Sequence, residues 1–547
     1  MMTRQWKPQN CLRNAVKQVN SVFKLRFSLM GKLYGRLSLV SSLTLFSRFL
    51  GLARDMLFFS CFGASLIGEA FILAFTFPNL FRRMLGEGTL SSAFIPVFTD
   101  TLKKKSEQLA LNLLSEVTSR LFLFLGIFTV LVCLLSYFAS AGSWFSQEKW
   151  EVGLHLNSLS FTYIVLICSS AILVGALNSK GRFFAGAFSP VLLNLCMICS
   201  MVIGRFVLGL EIMVMAVILC GSVVFAGILQ LALPWIQLKK TMNWKWHFTM
   251  SSSPEIDAIR SLFWVGALGA AVGQINILIS RFLAYSLDES GGLSYLFLSS
   301  RLVELPLGVF AIAISTVFFP KMSKESSSDN KDAFWESVFT GLRMTAGITI
   351  PAAIGLGFLA VPILSALFQW GEFGSSEVQK AKGILSIACI GLPFYAISTF
   401  LVKVYHSRKN MTFPLHAAAI SMLCNLVFSV VLMQEYQVHG LAWANVLAAV
   451  LQTTYLIVRL DGIRLKEVFS NKPFCSYSIV VASVFMSGIL WLLKYLEIFS
   501  SSKQDSFIFL ILAVPLGAGA YGFCLYLCGF PELKSLVGKI KSNRSVN

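Results

Sequence analysis

Apolar residues fall in long runs along the whole chain, broken by short polar segments. Each run is roughly 17–27 residues, long enough to cross a hydrocarbon core of about 30 Å as a helix. Fourteen such spans are predicted. The first six lie near Leu37–Phe62, Leu66–Pro96 (long and interrupted), Leu121–Phe138, Ser158–Leu177, Phe188–Leu208 and Met213–Leu233. The next six lie near Leu262–Leu283, Leu293–Phe319, Met344–Phe368, Ile384–Val404, Phe413–Met433 and Leu441–Val458. Tyr477–Leu493 and Phe507–Leu527 complete the set.

Charge in the connecting loops alternates with this count. One set carries Lys103–Lys105, Lys180 with Arg182, Lys239 with Lys240 and Lys245, Lys321 with Lys324 and Lys331, Lys403 with Arg408 and Lys409, and Arg459 through Lys472. The other set is poor in Lys and Arg and holds Glu148, Glu151, Asp288, Glu289, Glu372, Glu377 and Glu435. The positive-inside rule then puts the basic loops and both termini in the cytoplasm.

A short repeat adds to the picture. Ser47-Arg48-Phe49-Leu50 recurs as Ser280-Arg281-Phe282-Leu283. Each copy is followed by a span with an arginine (Arg82, Arg301), a Leu-Gly step (Leu85-Gly86, Leu307-Gly308) and a closing proline (Pro96, Pro320). The expected fold class is therefore an all-α polytopic membrane protein of about 14 transmembrane helices. Two pseudo-symmetric six-helix lobes, 37–250 and 251–470, are followed by two extra C-terminal helices at 471–531 and a basic tail at 532–547. Internal pseudo-symmetry of this sort marks transporters, with the site between the lobes near mid-membrane.

Composition agrees: of 547 residues 56% are hydrophobic and 13% charged, with a mean hydropathy of +0.73. Soluble domains carry about 25% charged residues. The formal charge of +19 sits in loops between spans, so it reads as topology signal and anionic-lipid contact, not nucleic-acid binding. Most of the twelve cysteines lie inside spans and read as small hydrophobes, including the Cys196/Cys199 pair. Residues 1–36 are a basic segment without the apolar core of a signal peptide. Its first 29 residues read either as a membrane-surface arm or as an upstream-start artefact, with Met30 the start.

The charges inside spans carry the chemistry. Arg48 lies about 16 Å from the start of the first span, close to the midplane, and Arg54 lies deeper along the same helix. An arginine there costs roughly 2.5–3.5 kcal/mol on insertion scales, so it should face a wet cavity or an anionic partner. The second span holds Glu69, Pro78, Arg82-Arg83 and Gly86-Glu87-Gly88, a composition that predicts a bend or break lined by protein or water. Arg83 and Glu87, at i and i+4, read as a neutralising pair. Arg301 has Glu304 one turn on, and Arg54 has Asp55 or Glu69 within reach. Arg48, Arg54, Arg82 and Arg301 together outnumber the acids available to them. Such a surplus suits a phosphate-bearing substrate, because the guanidinium fork binds phosphate oxygens bidentately.

No GxxxxGK loop is present, so ATP hydrolysis is excluded. The five histidines are scattered without ligand spacing, and no metal, cofactor or catalytic residue is assigned. A transporter, not an enzyme, is expected.

Three motifs carry a family resemblance. They are Ser47-Arg-Phe-Leu-Gly-Leu-Ala-Arg-Asp55, Phe77-Pro-Asn-Leu-Phe-Arg-Arg83 and Gly86-Glu-Gly88 with Ser92-Ala-Phe-Ile-Pro96. They resemble the opening of the MurJ/MviN family, lipid II flippases of the multidrug/oligosaccharidyl-lipid/polysaccharide exporter superfamily. Looser matches follow at Asn178, Arg182-Phe183, Ser189-Pro190, Leu193-Asn194, Arg301-Leu302, Glu304 and Leu367-Phe-Gln-Trp-Gly371. The similarity runs from about Met30 to the end of the twelfth span, and the family's start near Met30 favours the artefact reading.

By that resemblance, the cavity arginines needed for flipping fall on Arg48, Arg54, Arg82 and Arg301. The acidic cavity residue falls on Glu69, and Ser47 and Ser294 match polar lining positions. Ser300 stands where relatives often have Asp. The last two helices resemble a pair that forms a lipid-tail groove. Some relatives hold sodium between helices of the second lobe. Here the seventh and twelfth spans have no acid for it, and only Asn425 and Asn445 stand near.

The implied function is movement of lipid II, an undecaprenyl-diphosphate-linked muropeptide, from the inner to the outer leaflet of the bacterial inner membrane. Coupling would be to the membrane potential or an ion gradient. The implied partners are lipid II, membrane lipids and the proteins of peptidoglycan synthesis and division. Two alternatives stand beside it: another lipid-linked oligosaccharide or drug exporter of the superfamily, and a membrane-embedded glycosyltransferase or polymerase. The last would want a catalytic acid in a sizeable outer loop. The longest here, Ala139 to Leu156, offers Glu148 and Glu151.

Overall fold

The computed structural model describes residues 38–142, 148–328, 331–460, 476–496, 503–535 and 538. The expectations for segments 1–36 and 461–475, and for most of the basic tail, lie outside the described residues. Among the described residues there are helices and no strands.

The first group begins with α1 (38–62) and α2 (Leu66–Phe81), which runs through a π-helical stretch, Arg82–Thr89, into α3 (Leu90–Lys104). Then come α4 (Glu107–Ala141), α5 (Glu148–Ser160), α6 (Tyr163–Ser179), α7 (Phe184–Val202) and α8 (Ile212–Met242). The second group holds α9 (Pro254–Ser286), α10 (Gly292–Pro306), a π turn at Leu307–Ala311, and α11 (Ile312–Ser327). It closes with α12 (Lys331–Phe358), α13 (Ala360–Phe368), α14 (Ser375–Ser407) and α15 (Thr412–Val458). A last pair, α16 (Ser476–Tyr495) and α17 (Lys503–Leu527), packs on itself and against α12 and α13.

Ten helices among the described residues are long and apolar enough to span a bilayer by length and composition. The charge-bearing α1, α2 with α3, and α9 fall outside that ten, and α15 counts once although Gln437 (φ 46°) breaks its helical backbone. The figure of fourteen remains the reading of the hydropathy pattern.

Helices run past their apolar cores where polar residues can cap them. α4 starts fourteen positions before Leu121, because Ser106 accepts a hydrogen bond from the Leu109 amide at 3.2 Å. At the head of α14, Glu377 accepts from the Gly374 amide at 2.8 Å. The predicted break in the second span is the π turn Arg82–Thr89. Both Leu-Gly steps of the repeat fall inside π turns, Leu85-Gly86 in one and Leu307-Gly308 in the other. Such turns release backbone groups and recur at functional sites.

The cores explain the shape. At the end bearing the acidic loops, one buried cluster joins both groups, from Phe59 and Phe71 to Tyr285, Leu293 and Phe373. At the basic-loop end there are two separate cores, one around Phe94, Phe98 and Trp244 of the first group, into which Ile259 of α9 packs, and one around Phe334, Phe400 and Tyr405 in the second. The space between the groups therefore opens toward the basic loops. The flank of α4, with Phe124, Leu131 and Leu135 exposed, is an apolar belt suited to lipid.

Candidate functional site

A cavity of about 810 Å³ lies within the first group and meets the second, among the described residues, at Arg301. From α1 it is lined by Ser47, Arg48, Gly51 and Arg54, which recur on one helical face. Asn79, Arg82 and Arg83 enter from α2 and its π turn, and Arg301 from α10. The opposite wall is neutral and polar, with Tyr163, Ser170 and Asn178 of α6, Ser189 and Asn194 of α7, and Gln230 of α8. Among the described residues five arginines and no carboxylate line it.

Each arginine is aimed by neighbours. Arg54 donates from Nε (3.0 Å) and Nη2 (2.6 Å) to Asp55 Oδ1, and from Nη1 (3.1 Å) to Asn194 Oδ1. The Asn194 amide donates in turn to the Ser47 carbonyl at 3.1 Å. Asp55 reaches the second group through its other oxygen, 3.6 Å from Arg301 Nε. Arg301 Nη1 donates to Glu304 at 3.2 Å, and its guanidinium lies 4.9 Å from the Phe297 ring centre. Arg82 donates from Nε (3.1 Å) and Nη2 (2.9 Å) to Asn79 Oδ1. Arg48 has no hydrogen-bond or ion-pair partner among the described residues. A Cβ on Gly308 would lie 3.2 Å from Arg48 Nη1, so that glycine leaves room for the guanidinium where it crosses to the second group. The expected Arg83–Glu87 pair rests on a Glu87 side chain outside those described.

Of the seven residues picked from the sequence, Ser47, Arg48, Arg54, Arg82 and Arg301 line this cavity. Glu69 and Ser294 do not, which corrects their placement as cavity lining. Glu69 sits thirteen positions before Arg82, about 20 Å away along the helix. Glu69 and Ser294 are fully buried in a seal at the acidic-loop end. There Glu69 Oε1 accepts from the backbone amides of Leu293 (2.6 Å) and Ser294 (3.3 Å), at the N-terminus of α10, where a negative charge is favoured. Lys149 stands 3.5 Å from Glu69 Oε2 and donates to the Leu287 carbonyl at 3.0 Å, and Tyr285 donates to the Lys149 carbonyl.

The seal continues through backbone. The Glu372 amide donates to the Ser60 carbonyl at 3.0 Å, and Arg205 pairs with Glu372 at 2.5 Å. Gly371 (φ +56°) has no space for a side chain, since a Cβ would stand 2.2 Å from the Ser60 oxygen. Phe59 packs edge-on to Phe368 and Phe373 beneath this contact.

Lys149, Asp55 as a shared partner, and Arg281 escaped the sequence-level site. Arg281 donates to Thr76 at 2.7 Å and faces a small void beside Asp55 and Arg301. The signal for Lys149 was its place as a single cation between Glu148 and Glu151.

Asn425 and Asn445 stand in a neutral network inside the second group. Asn425 Nδ2 donates to Asn276 Oδ1 (2.8 Å) and Ser280 Oγ (2.9 Å), and Ser280 donates to Asn445 Oδ1 at 3.3 Å. An amide donor thus points at the oxygens a sodium ion would need, and no carboxylate joins them. These residues do not fit a cation as they stand. Among the described residues no His, Cys, Asp and Glu cluster suits a metal, and the ten described cysteines are free.

Comparison with known proteins bears on this geometry. The sequence profile of the family described as lipid II flippase MurJ matches residues 58–512. A probable lipid II flippase MurJ of Bdellovibrio bacteriovorus is 32% identical over 77% of this chain and 80% of its own. One from Vibrio cholerae is 30% identical over 91% of this chain and 96% of its own. A solved lipid II flippase MurJ in an inward closed conformation superposes with a TM-score of 0.74 at 28% identity, covering 91% of this chain and 99% of that one. A multidrug transporter of the MATE family in an inward-facing conformation matches at a TM-score of 0.61 and 13% identity, over 77% of this chain and 97% of that one; that likeness is one of fold.

Proposed function

The chain belongs to the lipid II flippase MurJ family, and from that premise we propose how its cavity moves the substrate. It is a multi-pass membrane transporter of lipid II, not an enzyme. The observation that carries the mechanism is the cavity of about 810 Å³ with five arginines and no carboxylate among its described lining residues, beneath the seal made by Glu69 and the Glu372–Ser60 contact. Arg54, Arg82 and Arg301 clamp the diphosphate, and Arg48, which no acid among the described residues engages, meets it first. Ser47 and the amide wall receive the sugars and peptide, while the polyprenyl tail stays in lipid. The polar headgroup would otherwise lose hydrogen bonds at several kcal/mol each in crossing.

Glu69, Lys149 and Ser294 belong to a gate, not to the binding surface. With the basic loops and both termini in the cytoplasm, the cavity faces inward and the Glu69 seal is the outer gate. Alternating access breaks that seal as the basic-loop ends close. The membrane potential supplies the drive, at about 2.3 kcal/mol per charge per 100 mV. An anionic headgroup moving outward and an empty cationic cavity returning inward both run down an inside-negative potential. The enzymes that make and use lipid II are the partners this cycle requires.

A cationic-drug exporter of similar fold would want an acidic cavity, so the lining argues against it. The test is the appearance of lipid II on the outer face of cells depleted of their own flippase. The expected result is loss with Arg54→Ala or Arg82→Ala and partial recovery with Lys at either position, which keeps charge but not the fork. Full transport with Ala at both positions overturns the clamp.

A further inference from the structure

A second cavity, of about 560 Å³, lies on the other side of α2 and shares no residue with the arginine cavity. Phe77 of α2, Phe128 of α4 and Trp150 of α5 form its walls from the first group, and Leu278 and Phe282 of α9 close it from the second. The volume falls within the usual ~300–1,000 Å³ of small-molecule sites. Phe282 is 44% exposed, which leaves a mouth beside the lipid-facing flank of α4.

Its lining is apolar apart from Asn157, Ser136 and the indole N–H of Trp150. Asn157 is 8% exposed, and its Nδ2 donates to Ser136 at 3.3 Å. Its Oδ1 is buried with no hydrogen-bond partner among the described residues. A buried acceptor left without a donor is unfavourable, more so where lipid supplies no water. A plain acyl or prenyl chain would fill the space and leave that oxygen bare. An apolar molecule ending in a hydroxyl would fill it and satisfy the oxygen.

We propose that this cavity is a binding site for a long-chain alcohol or similar hydroxyl-bearing lipid, which enters from the membrane and donates to Asn157. Because its walls come from both groups, an occupant bridges α2, α4 and α5 to α9. It holds the sealed state and slows transport, a consequence that rests on the flippase reading.

The test uses the full-length protein in detergent with 11-bromoundecan-1-ol, whose bromine quenches nearby tryptophan. Saturable quenching is expected, with a component lost in Trp150→Phe. The alcohol should bind about tenfold more tightly than 1-bromoundecane, and Asn157→Leu should erase that preference. Leu278→Trp, which fills the space without touching the polar pair, should abolish both. Unchanged quenching in Trp150→Phe, or a preference that survives in a folded Asn157→Leu protein, overturns the site. In vesicles, undecan-1-ol should slow lipid II transport by wild type but not by Asn157→Leu. Equal slowing removes the inhibitory role. Absence of any transport by wild type instead counts against the flippase reading, and quenching still decides the site.

Discussion

Asp55 is the residue on which the cavity's electrostatics turn. It holds Arg54 at 2.6 Å within its own group and Arg301 at 3.6 Å across the gap. Removing one partner of a buried charge pair costs about 3–5 kcal/mol, because the other stays desolvated and unpaired. Asp55→Asn keeps the shape and removes the charge, so Arg54 and Arg301 should repel and splay. The expected outcome is a lower thermal midpoint and at least tenfold slower lipid II transport, read in the same preparation. A normal midpoint with normal transport would show that Asn194, Glu304 and Phe297 aim the arginines without Asp55. The arginines were legible in the sequence because a charge in an apolar run is a local signal. Their partners were not. Nothing along the chain says that Asp55 reaches Arg301, or that Glu69 answers the backbone of α10 and Lys149 instead of Arg54.

At the scale of elements, hydropathy located each apolar run, and proline with glycine located the break after Phe81. Helix ends were less legible, since Ser106 and Glu377 extend helices through polar residues that carry no apolar signal. The seating of the last helix pair was not legible at all. Arg343 of α12 donates to Glu532, just past α17, from Nε (2.9 Å) and Nη2 (2.6 Å), with both side chains nearly buried at 11% and 14% exposure. Tyr521 donates to the Gly347 carbonyl at 2.6 Å alongside. Arg343→Met should therefore loosen α16 and α17 and lower stability by about 3–5 kcal/mol. Arg343→Met combined with Glu532→Leu should recover most of that, because the lone carboxylate is gone. Thermal unfolding provides the measure. A double variant no better than the single one would mean the pair does not hold the helices.

For the whole molecule, one shared core at the acidic-loop end and two separate cores at the other make a body that must trade one closed end for the other. The seal has two independent supports, which makes its role separable from its charge. Glu69→Leu leaves two amides and Lys149 without their carboxylate, whereas Gly371→Ala forces a Cβ into the Ser60 carbonyl and changes no charge. Ser294 is buried in the seal with its hydroxyl unpartnered among the described residues, so Ser294→Cys is a quiet reporter. An impermeant maleimide applied from the acidic-loop side should label that thiol slowly in the parent, above the background of the native cysteines. Both Glu69→Leu and Gly371→Ala should speed labelling several-fold. If only Glu69→Leu does so, the carboxylate acts on its own surroundings and the backbone contact is passive. If neither does, the buried cluster around Phe59 and Phe373 holds the end shut, and the gate must be sought among those rings.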